Sequence, residues 1–559
     1  MDGPAAVPLE ARAGPGGRAR AALAGAVRLG LAPAAVYLLL LVLLTWPAAL
    51  RAPTHLLGGE GDAMQNVWNL WWMERAAAEG RSPYWTDAVH HPFGASLRGH
   101  TLGTFNALVA APLRPLLSRE QAYNAVLALS FVASGVAAFL LAHRLTGSWP
   151  GALAAGFVFT FSHWHVARMP GHLNLAAAQF LPLFALAWLA HLDRPGLARA
   201  GVAAAAFALA GLCDLYFLVA CALAGALLLA GRALEEGRAW LVARERVVGL
   251  MTFGALASLL AGPIALPVAG EHARDPFVVP FESDPRDFSA DLLGLVAPGV
   301  GWRFAGLTAP LWRGLPAPDA VDVALGLPVL LLAAWVWRRR ADVAPAVRLR
   351  AWVVLIVGVV LLGLGPELQV ARVRTGVPLP WALVDELPPL KLAGKPARFM
   401  VVATLGTAVL TAVGVQRLLA AGRRRVVAAF AVALVVDHAP ARLPTEPLGS
   451  PPAYVEALRA AGDGAVLDLA SGHFRPLWHQ TTHGRPMALG YLSRHPASVL
   501  ARERPLIEAH RRGDWRALRE RFDLRWLVVP AGHAPPNDEH LRLVVEDAGG
   551  RLFELAPRD

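Results

Sequence analysis

A single acid, Asp62, stands a few residues after the first long apolar stretch of the chain and opens a polar segment that covers residues 61–104. A carboxylate held near a membrane surface can accept a proton from a hydroxyl, or can hold a metal ion beside a lipid-borne substrate. A Gly-Asp pair is also common in turns that do no chemistry. Asp62 is therefore a candidate catalytic residue, with a plain turn as the alternative.

Three tryptophans, Trp68, Trp71 and Trp72, follow this acid at helical spacing. Such a cluster predicts a short helix that floats at the headgroup level and holds Asp62 close to the bilayer surface. A membrane anchor without any catalytic role is the alternative interpretation.

Lys391, Lys395 and Arg398 lie together in the segment PPLKLAGKPARF, just before an apolar span. Cations in this position can neutralise the phosphate that leaves a phosphate-linked donor. They are candidate phosphate ligands, and snorkelling at a helix end is the alternative.

The composition indicates a membrane protein. Of 559 residues, 55% are hydrophobic and only 17% are charged, which is too apolar for a soluble domain of this length. The net charge of +11 lies mostly in arginine-rich loops between apolar spans, a pattern typical of cytoplasmic loops and not of nucleic-acid binding. We expect membrane lipids as partners and no nucleic acid, and the sequence defines no oligomeric state.

The hydrophobic pattern predicts an α-helical polytopic protein with about eleven spans of about 20 residues or fewer. The spans cover residues 31–50, 121–145, 150–166, 173–192, 198–213, 215–230, 247–268, 320–337, 352–364, 399–419 and 426–436. If the tail of residues 1–29 is cytoplasmic, the arginine-rich loops all fall on the cytoplasmic side. A signal peptide cleaved near Ala48 and Ala49 is the alternative to a retained first span.

This orientation gathers the polar loops on the outer face. The first outer loop covers residues 51–120, and His172 and Asn174 lie in a later outer turn. Asp214 separates two apolar runs, so it marks either a tight outer turn or a functional group inside the membrane.

A change of composition near Pro440 divides the chain into a membrane domain, residues 30–438, and a small extracytoplasmic α/β domain, residues 439–559. A proline-rich linker is followed by a predicted helix at 454–461, a strand at 465–469, a helical region at 500–521 and a strand at 524–529. The spacing of His473, His479 and His483 does not define a metal site, and we interpret them as surface or core residues.

The sequence contains no GxxxxGK[ST] loop and no strand–GxGxxG–helix unit, so it supports neither an ATPase nor a nucleotide-sugar domain. An enzyme of this kind would use a donor that is linked to a lipid. Transfer of a glycosyl group from such a donor requires one carboxylate to deprotonate the acceptor and cations for the departing phosphate.

The layout of spans and loops resembles the GT-C superfamily of polytopic glycosyltransferases, and five segments are similar to an uncharacterised bacterial group within it. These segments are GDAMQNVWNLWW, SPYWTDAVHHPFG, AYNAVLALSF, GHLNL and KPARF. The resemblance implies a protein of the bacterial inner membrane that moves a sugar from a polyprenyl-phosphate donor to an acceptor at the outer face. It gives Asp62 the role of catalytic base or metal ligand.

The chain departs from the superfamily's familiar forms because no second acid accompanies Asp62. Asp87, His90 and His91 in the same loop are the candidates for a second acid or metal ligand. No cofactor is defined, and a divalent metal ion remains open. The rival functions are a lipid or polysaccharide transporter and a non-catalytic assembly factor for the cell envelope that binds through its C-terminal domain.

Overall fold

The computed structural model describes residue 25 and residues 27–279, 284–313, 322–533 and 539–555. Within this part of the chain, seven helices are long and apolar enough to cross a membrane. They are Val27–Leu44, Arg119–Thr146, Leu173–Asp193, Leu215–Glu236, Arg244–Arg274, Pro345–Gly363 and Pro396–Ala420. The chain is a helical polytopic membrane protein, as predicted. Most of the predicted tail of residues 1–29 lies outside the described residues.

Each of the eleven predicted spans overlaps a helix, but only seven helices in the described part of the chain are long and apolar enough to cross a membrane. The main helices are α1 Ala32–Leu44, α2 Asp62–Ala78, α3 Thr104–Ala110, α4 Arg119–Thr146, α5 Trp149–Thr160, α6 Phe180–Asp193, α7 Leu197–Cys213, α8 Leu215–Glu236, α9 Arg244–Arg274, α10 Leu327–Arg338, α11 Leu349–Gly363, α12 Met400–Ala420, α13 Arg424–Asp437, α14 Ala453–Ala460, α15 Arg475–His483, α16 Ala497–Arg511 and α17 Trp515–Glu520. Shorter helices are Ala48–Arg51, His163–Val166, Leu173–Ala176, Arg238–Val242, Ala309–Trp312 and Pro388–Ala393.

Helix α12 is the most buried of the long helices, with 94% of its apolar window inside the protein. Two glycines on it meet neighbouring helices directly. A Cβ added at Gly406 would lie 2.5 Å from Ile356 of α11, and one at Gly414 would lie 2.5 Å from Leu332 of α10. Small residues permit this close approach, which is how helices associate in a medium that offers no hydrophobic drive between them.

Local signals explain the hairpin of α4 and α5. Ser118 and Gln121 form a capping box at the start of α4, so two otherwise unpaired N–H groups are satisfied. Gly147 ends the helix in the left-handed region with a φ of 65°, and the Ser148 side chain then caps α5. The two helices consequently turn back on each other within two residues.

The C-terminal segment contains the four-stranded sheet that the sequence predicts in outline. The strands are β1 His55–Leu57, β2 Trp85–Thr86, β3 Ala95–Ser96, β4 Phe277–Val278, β5 Glu367–Val370, β6 Val373–Pro378, β7 Thr445–Pro447, β8 Ala465–Asp468, β9 His495–Pro496, β10 Leu524–Val529, β11 Leu541–Asp547 and β12 Gly550–Leu555. The sheet has the order β11-β12-β10-β8, in which β10 and β8 are parallel and the other pairs are antiparallel.

Two small ladders join this segment to the membrane part. Strand β1 pairs with β7, and β4 pairs with β9. Because β1 directly precedes α2, the first loop and the C-terminal segment lie at the same end of the helix bundle, which we call the Asp62 end.

The predicted headgroup position of the tryptophan-rich helix is wrong. The helix exists as α2, and Trp68 and Trp72 share a face with stacked rings 6.2 Å apart. All three tryptophans are buried, however, and they pack with Leu477, Met487, Leu492 and Val499 of the C-terminal segment. Their apolar area is covered by a partner more than 400 residues away in sequence, as the 2.6 Å hydrogen bond from Trp68 Nε1 to Gln480 Oε1 shows.

Candidate active-site cavity

Asp62 is the first residue of α2, and its carboxylate faces a cavity at the Asp62 end of the bundle. Its Oδ2 atom lies 3.0 Å from His172 Nε2, and the side chains of His172 and Asp62 are 32% and 27% exposed. An imidazole N–H that donates to one carboxylate oxygen fixes the orientation of the carboxylate and leaves its other oxygen available. This pair can therefore receive a proton from a substrate hydroxyl.

Two glycines hold the His172 segment against the start of α2. A Cβ at Gly171, whose φ is +147°, would lie 2.6 Å from the backbone nitrogen of Ala63, and a Cβ at Gly58 would lie 2.8 Å from Pro170. Asn66 secures the contact because its Nδ2 donates to Gly171 O at 2.7 Å. Gly58, Gly171 and Asn66 form what we call the clamp, and these residue types set the position of His172 next to Asp62.

The cavity has a volume of about 490 Å³ and is lined by more cations than acids. The charged side chains in its wall are Asp62, Arg168, Asp322, Lys395, Arg398 and Arg442, together with His172. Among the described residues of this wall, four cations face two carboxylates, and this balance favours an anionic ligand such as a phosphate.

Aromatic rings support two of these cations. Lys395 Nζ lies 4.1 Å from the centre of the Phe288 ring, and Phe288 itself lines the cavity. The Arg398 guanidinium lies 5.0 Å from the centre of the Tyr216 ring. Cation–π contacts of this type help to hold a charged side chain in place.

Asp214 and Asn174 support this wall from behind. Asp214 caps α8, because its Oδ1 accepts from the backbone N–H of Tyr216 at 2.8 Å. Its Oδ2 accepts from Asn174 Nδ2 at 2.5 Å. The break at Asp214 is thus a helix cap that positions Tyr216 under Arg398. Neither Asp214 nor Asn174 lines the Asp62 cavity.

The third predicted phosphate ligand, Lys391, points elsewhere. Its Nζ pairs with Glu386 at 2.7 Å, and the lysine side chain is 62% exposed. The structure therefore brings Lys395 and Arg398 to the Asp62 cavity and leaves Lys391 out of its lining.

The predicted second acid and its neighbours are also outside the cavity lining. Asp87 Oδ2 accepts from Arg81 at 2.9 Å, and His90 Nδ1 lies 2.5 Å from Glu503 of the C-terminal segment. His91 donates its backbone N–H to Met487 O at 2.9 Å. His90 and His91 join the first loop to the C-terminal segment, whereas Asp87 forms an ion pair within the loop. None of the three lines the cavity beside Asp62.

The residues around Asp62 do not form a zinc-type metal site. Such a site takes at least three protein ligands that converge on one point, and in the described part of the chain no third His, Cys, Asp or Glu joins Asp62 and His172 at ligand spacing. The carboxylate already faces an imidazole at 3.0 Å. We therefore derive no step through a metal at this position.

An apolar groove of about 320 Å³ adjoins the cavity. Helices α1 and α4 form its walls, with side chains such as Leu38, Leu41 and Phe131, and it shares Met169 and Leu443 with the lining of the Asp62 cavity. A charged cavity with an apolar groove beside it suits a ligand with a phosphate head and a hydrocarbon chain.

The sequence pattern does not single out Arg168, Arg442 or Asp322 as members of this site. Arg168 is buried, with its guanidinium 5.1 Å from the centre of the Trp164 ring. The one sequence signal that points to it is its position close to the end of a predicted span. Tyr491 of the C-terminal segment is close enough for electrostatic coupling, since burial and the charge of Asp62 raise its pKa to about 12.

Comparison with known families places the chain in one of them. Residues 30–439 match the family described as Domain of unknown function (DUF6311), and the chain belongs to this family. None of the curated proteins compared with the chain matches it.

Solved structures of the arabinofuranosyltransferase AftD share its fold. The arabinofuranosyltransferase AftD from Mycobacteria is 14% identical with a TM-score of 0.58, over 95% of this chain and 40% of AftD. A mutant of AftD gives 16% identity and a TM-score of 0.56, over 95% and 42%. ArnT from Cupriavidus metallidurans, bound to undecaprenyl phosphate, is 14% identical with a TM-score of 0.48, over 93% and 98%. The chain spans about 40% of the length of AftD, and the predicted GT-C-like membrane fold is confirmed.

Proposed function

We propose that the chain is a glycosyltransferase that moves a sugar from a polyprenyl-phosphate-linked donor to a hydroxyl of a lipid, glycan or protein acceptor. The observation that carries this proposal is that Asp62, Lys395 and Arg398 line one cavity and that an apolar groove lies beside it, with Met169 and Leu443 in the lining of both. The fold shared with AftD, an arabinofuranosyltransferase, supports the reaction class.

The chemistry needs one proton transfer and one exchange of bonds. The free oxygen of Asp62 takes the proton from the acceptor hydroxyl while that hydroxyl oxygen bonds to the anomeric carbon. The bond between the anomeric carbon and the phosphate oxygen breaks, and the electron pair leaves with the polyprenyl phosphate. Lys395 and Arg398 stabilise the charge that develops on this phosphate. His172 keeps the carboxylate oriented throughout.

The groove between α1 and α4 accounts for a lipid-borne donor. Its lining is almost entirely apolar, and Met169 and Leu443 belong to both the groove and the cavity. The first isoprene units of the donor would lie along Leu41 and Phe131, so the phosphate would reach the cations without leaving the membrane boundary.

The test separates binding from transfer. The purified chain in nanodiscs is titrated with undecaprenyl phosphate, and label transfer is followed from a lipid extract that carries radiolabelled polyprenyl-phosphate sugars. We expect Asp62→Asn to bind undecaprenyl phosphate as tightly as the wild type and to transfer no label. A transporter or an assembly factor would bind the lipid without any transfer by the wild type, and that result would overturn the proposal.

The site is proposed to face the outer side of the bacterial inner membrane. Arginine-rich termini of α13 and α10 lie at the end of the bundle opposite Asp62, where cytoplasmic loops carry positive charge. Reporter fusions after Arg340 and at the C terminus should therefore report opposite sides. Matching reports from the two fusions would reverse or remove this orientation.

A further inference from the structure

A second polar cluster lies next to the cavity without lining it, and it consists of His163, Asp437 and His438. Asp437 Oδ2 lies 3.1 Å from His438 Nδ1 and 3.6 Å from His163 Nε2. The three ligand atoms all lie within 4.8 Å of one another. Ligands of a tetrahedral zinc ion with bonds of about 2.0–2.1 Å are separated by about 3.3 Å, so this spacing matches a ligand set.

The cluster is enclosed, and its polar atoms are unsatisfied. His163 is 3% exposed and His438 is 2% exposed. His163 Nε2, Asp437 Oδ2 and His438 Nδ1 are buried. The carboxylate lies within ion-pair distance of both rings, but within the described part of the chain none of the three atoms makes a hydrogen bond of acceptable geometry. Buried polar atoms almost always have a partner, because an unpaired one costs about 1–3 kcal/mol. Three such atoms that converge on one point indicate a ligand that the three residues share.

The cluster lies where the ends of three helices meet. His163 begins the one-turn helix that follows α5, Asp437 ends α13, and Gly326 directly precedes α10. Gly326 has a φ of +86°, and a Cβ there would lie 2.6 Å from Asp437 Oδ2 and 2.8 Å from the His438 ring. The backbone at Gly326 thus closes one side of the cluster, which keeps the ligand atoms out of water.

We propose that His163, Asp437 and His438 bind a divalent first-row transition-metal ion, with Zn²⁺ the ion that this donor set fits best. Two neutral imidazole nitrogens and one carboxylate oxygen are a frequent three-ligand set for zinc, and a water molecule completes the tetrahedron. The observations that support metal binding here do not depend on the proposed transfer reaction, although the task given to the ion below does. It differs from the metal position considered at Asp62, because none of its three residues lines that cavity.

The position of the ion gives it a structural task. His163 lies five residues before Arg168, and His438 lies four residues before Arg442, and both arginines line the Asp62 cavity. An ion that ties these two segments together would fix the distance between the two arginines. The ion acts as a positioning element for the phosphate-binding wall and takes no part in proton transfer.

The experiment uses the untagged full chain in detergent and measures metal content after dialysis against a chelator and addition of Zn²⁺ alone. We expect one equivalent of Zn²⁺ per chain for the wild type and none for His163→Gln or His438→Gln. His143→Gln, at the far end of α4, is the matched control and should keep the full equivalent. Equal zinc content in all variants would overturn the proposal.

A second measurement needs no variant and so does not depend on folding of the mutants. The wild type loaded with Co²⁺ should show the visible absorption of a tetrahedral site, and X-ray absorption of the Zn²⁺ form should show nitrogen and oxygen ligands at about 2.0–2.1 Å with imidazole scattering. A wild type that takes up neither ion, or a spectrum dominated by sulfur, would contradict the assignment.

Discussion

The two halves of the first loop contain similar polar residues but place them in different surroundings. Asp62, in the first half, keeps about a quarter of its side chain exposed and faces a cavity beside His172. In the second half, Asp87 pairs with Arg81 and His90 is fully buried against Glu503. One half presents a carboxylate to a ligand-sized space, whereas the other half fastens the loop to the C-terminal segment.

This difference shows that the partner of an acid matters more than its distance along the chain from a membrane span. A carboxylate that faces an imidazole at a cavity wall can exchange a proton, while a carboxylate held by an arginine outside the cavity serves as an ion pair. The glycines at 58 and 171 create the first situation, because they let backbone pass close to α2. The predictions below change one half of the loop, or its supports, at a time.

The largest effect is expected from Asp62→Asn. The change preserves the shape of the side chain and removes its capacity to take a proton, so transfer should fall by about a hundred- to ten-thousand-fold. Label transfer from the polyprenyl-linked sugar measures this effect. Asp87→Asn is the matched control from the other half of the loop and should retain nearly full activity. Equal losses in the two variants would show that the two halves form one site.

Removal of the cavity cations should weaken lipid binding. Lys395→Ala and Arg398→Ala each remove a charged contact to the phosphate, and we expect the affinity for undecaprenyl phosphate to fall about ten- to a hundredfold. Lys391→Ala serves as control, because Lys391 pairs with Glu386 away from the cavity. If Lys391→Ala weakened binding as much as Lys395→Ala, the effect would reflect the general charge of this segment.

A smaller effect is expected when the clamp is altered. In Gly171→Ala the new Cβ would come within 2.6 Å of the backbone of Ala63, so the His172 segment must move, at a cost of about 1–3 kcal/mol. Thermal unfolding in detergent should show lower stability together with reduced transfer. Gly196→Ala is the control, since nothing lies within 4 Å of its added Cβ. A fully stable and active Gly171→Ala would argue against the clamp.

The smallest effect on transfer is expected from pH, which acts on stability through the half of the loop that contacts the C-terminal segment. Burial lowers the pKa of His100 to about 3, of His495 to about 4, of His479 to about 4 and of His483 to about 3, from about 6.5 in an unfolded chain. Between pH 6.5 and 4 the unfolded state therefore binds more protons, and stability falls as the pH falls. Burial raises the pKa of Asp468 to about 6. Protonation of this carboxyl as the pH falls therefore favours the folded state and partly offsets the loss of stability from the histidines.

Limited proteolysis at pH 7.5 and pH 5 measures this loosening. Cleavage within the first loop and within the C-terminal segment should be faster at pH 5. The cleavage rate should return to its original value when the pH is restored. An unchanged cleavage rate would show that these histidines are protonated without cost in the folded protein.

Much of the fold follows from the sequence because apolar spans are set by local composition. Every predicted span overlaps a helix, and the predicted strand at 524–529 coincides with β10. The position of α2 could not be predicted, since its tryptophans are covered by residues such as Met487, and a hydrophobic pattern does not reveal which distant segment covers it.

The candidate site was predictable only in part. Asp62, Lys395 and Arg398 stand beside span ends, where local sequence already marks them as unusual. The separation of Asp87 from Asp62 depends on the ion pair with Arg81 and on the attachment of its loop to Met487. Such pairings depend on tertiary contacts, so they cannot be predicted from the spacing of residues in the sequence.

The central claim is that the lipid phosphate binds in the Asp62 cavity. A cryo-EM structure of the chain in nanodiscs with undecaprenyl phosphate tests it most directly. We predict phosphate density in contact with Lys395 and Arg398 and isoprene density in the groove between α1 and α4. Phosphate density instead beside Arg98 and Arg494, in the separate cavity of about 340 Å³ that Asp214 lines, would contradict the account.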